Sequence, residues 1–140
     1  MTTTRDIRHT VRIKAKPHAV YEALMDSKKH TAFTGSPATI SRRIGGRFSA
    51  HGAHLSGINV DLAKNKRIVQ AWRAAGWPKG HFSIVSFDLK SAGAGTLLEF
   101  THVGIPSHRL RSINYGWKHY YWKPLKAAVE KKSRAKKSRR

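Results

Sequence analysis

A chain of 140 residues with 28 Lys plus Arg against 7 Asp plus Glu carries +21 before any of its nine histidines protonate. The acids Asp6, Glu22, Asp26, Asp61, Asp88, Glu99 and Glu130 are scattered, which argues against an acidic metal cage. The absence of Cys excludes disulfides, thiolate zinc sites and cysteine nucleophiles, and fits a reducing compartment.

High net charge is a signature of disorder, but 39% hydrophobic residues, with five Phe, four Trp and four Tyr, supply a core. No run approaches the ~18 apolar residues of a membrane span. The opening MTTTRDIRHT lacks the apolar stretch of a secretory leader. The expectation is a soluble, cytoplasmic single domain.

Ile7, His9, Val11 and Ile13 alternate with Arg8, Thr10, Arg12 and Lys14, the period of a half-buried strand. Pro17 opens a short helix with Val20, Tyr21 and Leu24 at helical spacing, and Ser27 starts a second, ended by Gly35 and Pro37. Six strands follow: ATISRRI, GRFSAHG, LSGINVDLA, KRIVQAWRA, HFSIVSFDLK and GTLLEFTHV. Gly45-Gly46, Asn65-Lys66, Pro78-Lys79-Gly80 and Gly93-Ala94-Gly95 punctuate them, and such short connectors suit an antiparallel meander.

After Pro106 the period returns to 3.6. Leu110, Ile113, Trp117, Tyr120, Tyr121, Leu125 and Val129 form one stripe of a helix of about 23 residues, with Arg109, Arg111, Lys118, Lys123 and Lys126 opposite. Pro124 predicts a kink near residues 120–124. Residues 1–130 read as the folded domain. The tail 131–140, with Lys131, Lys132, Arg134, Lys136, Lys137, Arg139 and Arg140 and no acid, contributes +7 and reads as disordered.

The economical packing is an α+β fold in which a curved antiparallel sheet wraps the long helix, with two short helices near the N-terminus. Alternation places Ile68, Gln70, Trp72, Leu98, Phe100 and His102 on the concave face, opposite Ile113, Trp117 and Tyr121. These aromatic walls with few polar groups suit either a pocket for a small apolar ligand or a plain filled core. Trp77 and Pro78, at a turn, read as a partner anchor or as a lid over the cavity mouth.

No His-Glu pair sits at helical i, i+4 spacing, so neither a metal nor another cofactor is expected. There is no G-x-S-x-G elbow, and Glu99 points away from the face of His102; catalysis is the less favoured reading. Arg42, Arg43 and Arg47 at one hairpin could join the tail in an electrostatic surface for nucleic acid or another polyanion, salt-sensitive because it would contact phosphates. The tail also reads as a nuclear address.

The ordered set WRAAGWPKGH…GTLLEFTHVGIP…GWKHYYWKPLK, with Pro17-Val20-Tyr21-Leu24 and Gly45-Gly46-x-Phe48, resembles the C-terminal domain of the heat-shock-protein-90 ATPase activator and its stand-alone bacterial relatives. The resemblance covers roughly residues 7–129. It implies the helix-grip fold of the SRPBCC superfamily (START-like, or like the birch-pollen allergen). It also implies a non-enzymatic, stress-related binding module, with heat-shock protein 90 as a candidate partner. Polyketide-cyclase-like enzymes of the same superfamily are the catalytic alternative. The full-length activator has a further N-terminal domain carrying its main chaperone contacts, for which 140 residues leave no room.

Overall fold

The computed structural model describes residues 3–52 and 54–138, with side chains up to Lys131. Strand β1 (Thr4–Ile13) leads into helices α1 (Pro17–Met25) and α2 (Ser27–Thr34). Then come β2 (Thr39–Ile40), β3 (Arg47–Ala50), β4 (Leu55–Ala63), β5 (Arg67–Ala74), β6 (Ser83–Ala92) and β7 (Gly95–Pro106). A 3₁₀ turn (Ser107–Arg109) opens the C-terminal helix, which is built as α3 (Leu110–Gly116), a π-helical segment (Trp117–Trp122) and α4 (Lys123–Ser138). All seven strands form one antiparallel sheet in the order β1-β7-β6-β5-β4-β3-β2. This is the α+β helix-grip architecture expected.

Local chemistry sets the helix ends. Pro17 stands in the first turn of α1, where its missing N–H costs nothing. The Asp26 side chain caps α2 by accepting the Lys29 N–H at 2.9 Å, and Gly35 ends it in the left-handed region at φ 75°.

Inward and outward faces follow the predicted alternation. Along β5, Ile68, Gln70, Trp72 and Ala74 are buried while Arg67, Val69, Ala71 and Arg73 are not. β2 is shorter than the expected ATISRRI strand because the loop after it is tied to β4. The Asn59 side-chain amide donates to the Ser41 and Arg43 carbonyls at 2.7 and 3.1 Å, and its backbone bonds Gly45 and Gly46. Asn59 sits beside a bulge in β4 and is fully buried.

The C-terminal helix departs from expectation in three ways. Pro124 produces a π-helical turn before it rather than a kink alone: the ring crowds the carbonyl four residues back and offers no N–H, and the Lys123 N–H reaches Lys118 O, five residues back. The wider turn moves the buried stripe. Trp122 is 5% exposed and Tyr120 60% exposed, the reverse of a plain 3.6 period. The backbone also stays helical past residue 130 to Ser138, where composition predicts disorder; Ala, Lys and Arg are strong helix formers and no Gly or Pro interrupts them. Arg139 and Arg140 lie outside the described residues, as do the side chains of Lys132, Arg134, Lys136 and Lys137.

Candidate functional site

The interior between sheet and helix is built on two tryptophan–histidine pairs. His9 on β1 and His102 on β7 both point inward from neighbouring strands, where His102 pairs with Ile7 and Phe100 with His9. The Trp117 Nε1–H donates to His102 Nδ1 at 3.0 Å, and the Trp122 Nε1–H donates to His9 Nδ1 at 2.9 Å. The two tryptophans are five residues apart, one π turn, and their rings stack at 5.5 Å and 21°. An α-helical register would place residues five apart well over a full turn from one another, so the π segment aims both indoles at the sheet.

Each histidine passes its remaining proton onward. His102 donates from Nε2 to Ser83 Oγ at 2.7 Å, and the Ser83 hydroxyl donates to the Trp72 carbonyl at 3.1 Å. His9 donates from Nε2 to Asn114 Oδ1 at 2.7 Å. Burial pulls the His102 pKa down from 6.5 to about 3, so the ring is neutral at physiological pH. His9 is lowered too, first by burial, with the Asn114 bond opposing and Lys118 adding to the shift. Both ring nitrogens of His102 are engaged, so none is free to take a proton from a substrate.

A second polar group lies beside this one. His30 of α2 is hydrogen-bonded through Nε2 to the Tyr121 hydroxyl, and its Nδ1 has no protein partner. Burial, with His51 nearby, lowers the His30 pKa to about 4, and burial raises that of Tyr121. Gln70 donates to Asn59 Oδ1 at 3.1 Å. Polar groups thus converge inside the fold, as a catalytic site requires, but apart from His30 Nδ1 they engage one another.

Of the predicted cavity residues, Ile68, Gln70, Trp72, Trp117 and Tyr121 line a common cavity, together with Leu24, His30, Ile40, Phe48, Ala50 and Phe87. Its volume is about 20 Å³, room for about one water. Leu98, Phe100 and His102 are fully buried in the aromatic layer rather than on the cavity wall, and Ile113 is half-buried. The predicted set therefore meets, but it closes on itself: the Phe100 and Trp117 ring centroids are 4.5 Å apart, and those of Trp117 and Tyr121 4.6 Å.

Trp77 is 5% exposed and packs on Trp72 at 5.4 Å, so it is no exposed anchor; Pro78 beside it is exposed. The arm of Arg73 holds that turn by donating to the carbonyls of Trp77, Pro78 and His81. Arg42 is paired with Glu22, whereas Arg43 and Arg47 stand exposed without such a partner among the described residues. No cluster of three metal-ligating side chains occurs among the described residues. Nor is any helix among them long and apolar enough to cross a membrane. His9, His30, Asn59 and Trp122 escaped sequence reasoning as site members. Only the Trp-x₄-Trp spacing upstream of a proline hinted at a π turn.

The outer face of the sheet divides into two halves. Toward one end, Arg67–Asp88 and Lys90–Glu99 form cross-strand ion pairs at 3.1 and 3.2 Å. Toward the other, Ile58, Ala71, Ile84 and Val103 face one another across β4, β5, β6 and β7 in a single row. Ile58, Ile84 and Val103 are 40%, 41% and 47% exposed, as is nearby Phe82 at 49%. Arg47 ends that row on β3 and Arg73 lies over the Phe82 ring, so cations rim the apolar band.

The family model described as activator of Hsp90 ATPase homolog 1-like protein matches residues 14–130. Among curated proteins, the chain is 32% identical over 110 residues to the human activator of 90 kDa heat shock protein ATPase homolog 1, covering 79% of this chain and 32% of that protein. It is also 32% identical over 117 residues to the Dictyostelium discoideum homologue, covering 83% of this chain and 30% of that one. The chain thus spans about a third of the length of these relatives. Among solved structures, an HSP90 activator from Plasmodium falciparum superposes with a TM-score of 0.83 at 22% identity, covering 89% of this chain and 96% of that one. The Aha1 dimer from Colwellia psychrerythraea superposes at 0.77 and 22% identity, over 90% and 96% of the two chains. With the helix-grip fold and the match over residues 14–130, the chain belongs to the activator of Hsp90 ATPase homolog 1-like family.

Proposed function

We propose that this domain is a non-enzymatic, chaperone-associated module that docks on heat-shock protein 90. The observation that carries the reading is the family match over residues 14–130, together with relatives named as activators of that chaperone's ATPase. The packed interior supports it: the cavity between sheet and helix is about 20 Å³, too small for an organic ligand, so the reading places binding on the surface. The docking face is the apolar band of Ile58, Ala71, Ile84, Val103 and Phe82, whose Arg47 and Arg73 rim suits an acidic surface on the chaperone.

The test is co-sedimentation of the full chain with purified heat-shock protein 90 at low and moderate salt, with the chaperone's ATPase rate followed in parallel. Ile84→Thr with Val103→Thr weakens the association while keeping the strands, because both side chains are already partly in water and a Thr–Thr cross-strand pair suits the sheet. No association of the wild-type chain at either salt refutes the reading. A small apolar ligand held among Ile68, Gln70, Trp72, Trp117 and Tyr121 is the second reading, favoured by the lining these residues share. It requires the helix to move off the sheet, since the cavity holds about one water. Native mass spectrometry showing only the bare chain mass removes it.

A further inference from the structure

The C-terminal helix has a second face that the chaperone reading does not use. Arg111, Tyr115, His119, Lys123, Ala127 and Lys131 follow one another at intervals of four, and every one is exposed. In an α-helix four residues overshoot a full turn by about 40°, so such a stripe drifts around the axis. In a π turn they fall short of one, so the Trp117–Trp122 segment offsets the drift and keeps the stripe on one side. Lys118 and Tyr120, both exposed, flank it.

The stripe combines two chemistries. Tyr115 and Tyr120 are 52% and 60% exposed, large aromatic surface without a partner on its outer side. They are organised rather than loose: the Tyr115 and His119 rings stack at 4.0 Å and 24°, and Tyr120 meets Tyr115 edge-on at 5.7 Å. Around them, residues 107–131 contain six Lys and Arg and a single acid, Glu130. That carboxylate is turned to the far side, where it accepts the Lys14 backbone N–H at 2.9 Å. No negative charge therefore interrupts the stripe.

Aromatic faces interleaved with cations from Arg111 to Lys123, along about 18 Å of helix, match a flexible polyanion that carries its own flat rings. An acidic peptide uses the cations and leaves the tyrosine faces idle. Duplex DNA uses the cations and keeps its bases stacked inside. We propose that this helix face binds single-stranded nucleic acid, with bases stacking on Tyr115 and Tyr120 and phosphates held by Arg111, Lys118 and Lys123. The surface is distinct from the sheet face assigned to the chaperone.

The test is fluorescence anisotropy of the full-length protein with a labelled deoxythymidine strand of about 12 nucleotides, read at about 50 and 200 mM salt. The wild-type chain binds this strand in preference to a duplex of the same length and to polyglutamate. Tyr115→Ala with Tyr120→Ala weakens binding at least ~tenfold, because both stacking platforms are lost. Tyr115→Phe with Tyr120→Phe retains it, since a phenyl ring stacks without the hydroxyl. Arg111→Ala, Lys118→Ala and Lys123→Ala together lower the log–log salt slope by about 2, at ~0.7 per phosphate. The residues beyond 131 are the same in every variant, so these differences belong to the stripe. Absence of binding at the lower salt overturns the proposal. So does a Tyr-to-Ala pair that binds as tightly as wild type, or equal competition by duplex or polyglutamate.

Discussion

Acid should unfold this domain through its buried histidines, well above the pH at which carboxylates protonate. His102 and His30 titrate at about 3 and about 4 in the fold against 6.5 in the unfolded chain, in each case chiefly because burial penalises the cation. The sign follows directly. Their contribution is complete above pH 6.5; below it the unfolded chain takes up protons that the folded chain refuses, and the contribution is lost as pH falls toward the folded values. Each such proton is worth about 1.4 kcal/mol per pH unit, so lowering the pH to about 5 removes about 2 kcal/mol per histidine and about 4 kcal/mol for the pair. His9 and His51, also lowered by burial, act with the same sign. Against a total of about 5–15 kcal/mol for a typical domain, this is a large share.

Urea unfolding followed by tryptophan fluorescence at pH 7.5, 6, 5 and 4.5 (roughly the span over which these groups act) measures the loss. Surface repulsion in a chain of +21 also grows with acid, but salt screens it and does not screen the buried term. The loss should therefore persist at about 0.5 M salt. Imidazole resonances give a second view: those of His30 and His102 should stay unprotonated at pH 5. A stability that changes by less than about 1 kcal/mol between pH 7.5 and 5 refutes the reasoning.

The interior supplies three further expectations. Trp117→Phe keeps an aromatic ring but leaves the buried His102 acceptor unpaired, and should cost about 1–3 kcal/mol in urea unfolding; Trp122→Phe at the half-buried His9, whose nitrogen water can reach, should cost less. Tyr121→Ala should cost about 3–5 kcal/mol because it empties the space beside Phe33 and Trp117, whereas Tyr120→Ala should change stability by less than about 0.5 kcal/mol. Equal effects at the two positions would contradict the π register. Gly57→Ala places a Cβ on the Ala71 carbonyl and the Phe48 ring, so the variant should lose several kcal/mol or fail to fold, as circular dichroism reports.

Much of the fold was legible because its signals are local. The alternation in KRIVQAWRA and GTLLEFTHV identifies both the strands and their inward faces, and Ile68, Gln70, Trp72, Leu98, Phe100 and His102 are buried accordingly. Hairpin punctuation sets the antiparallel order, and the WRAAGWPKGH to GWKHYYWKPLK anchors point to the family that the match over 14–130 shows. The choice between a ligand pocket and a filled core, which the same residues left open, does not follow from periodicity. Whether facing rings enclose space or fill it depends on how closely helix and sheet approach, and here they leave about 20 Å³.

What the sequence by itself determined is which residues face inward, where the chain turns and where charge gathers, since each depends on neighbours a few positions away. The tertiary structure alone decided the register of the C-terminal helix. Pro124 announces a disturbance, but its form depends on histidines far away in the chain: His9, to which Trp122 donates, and His102, to which Trp117 donates. A π turn satisfies both indoles at once and in doing so turns Tyr120 outward and Trp122 inward. The buried core and the aromatic stripe on the surface are two consequences of that one helical turn.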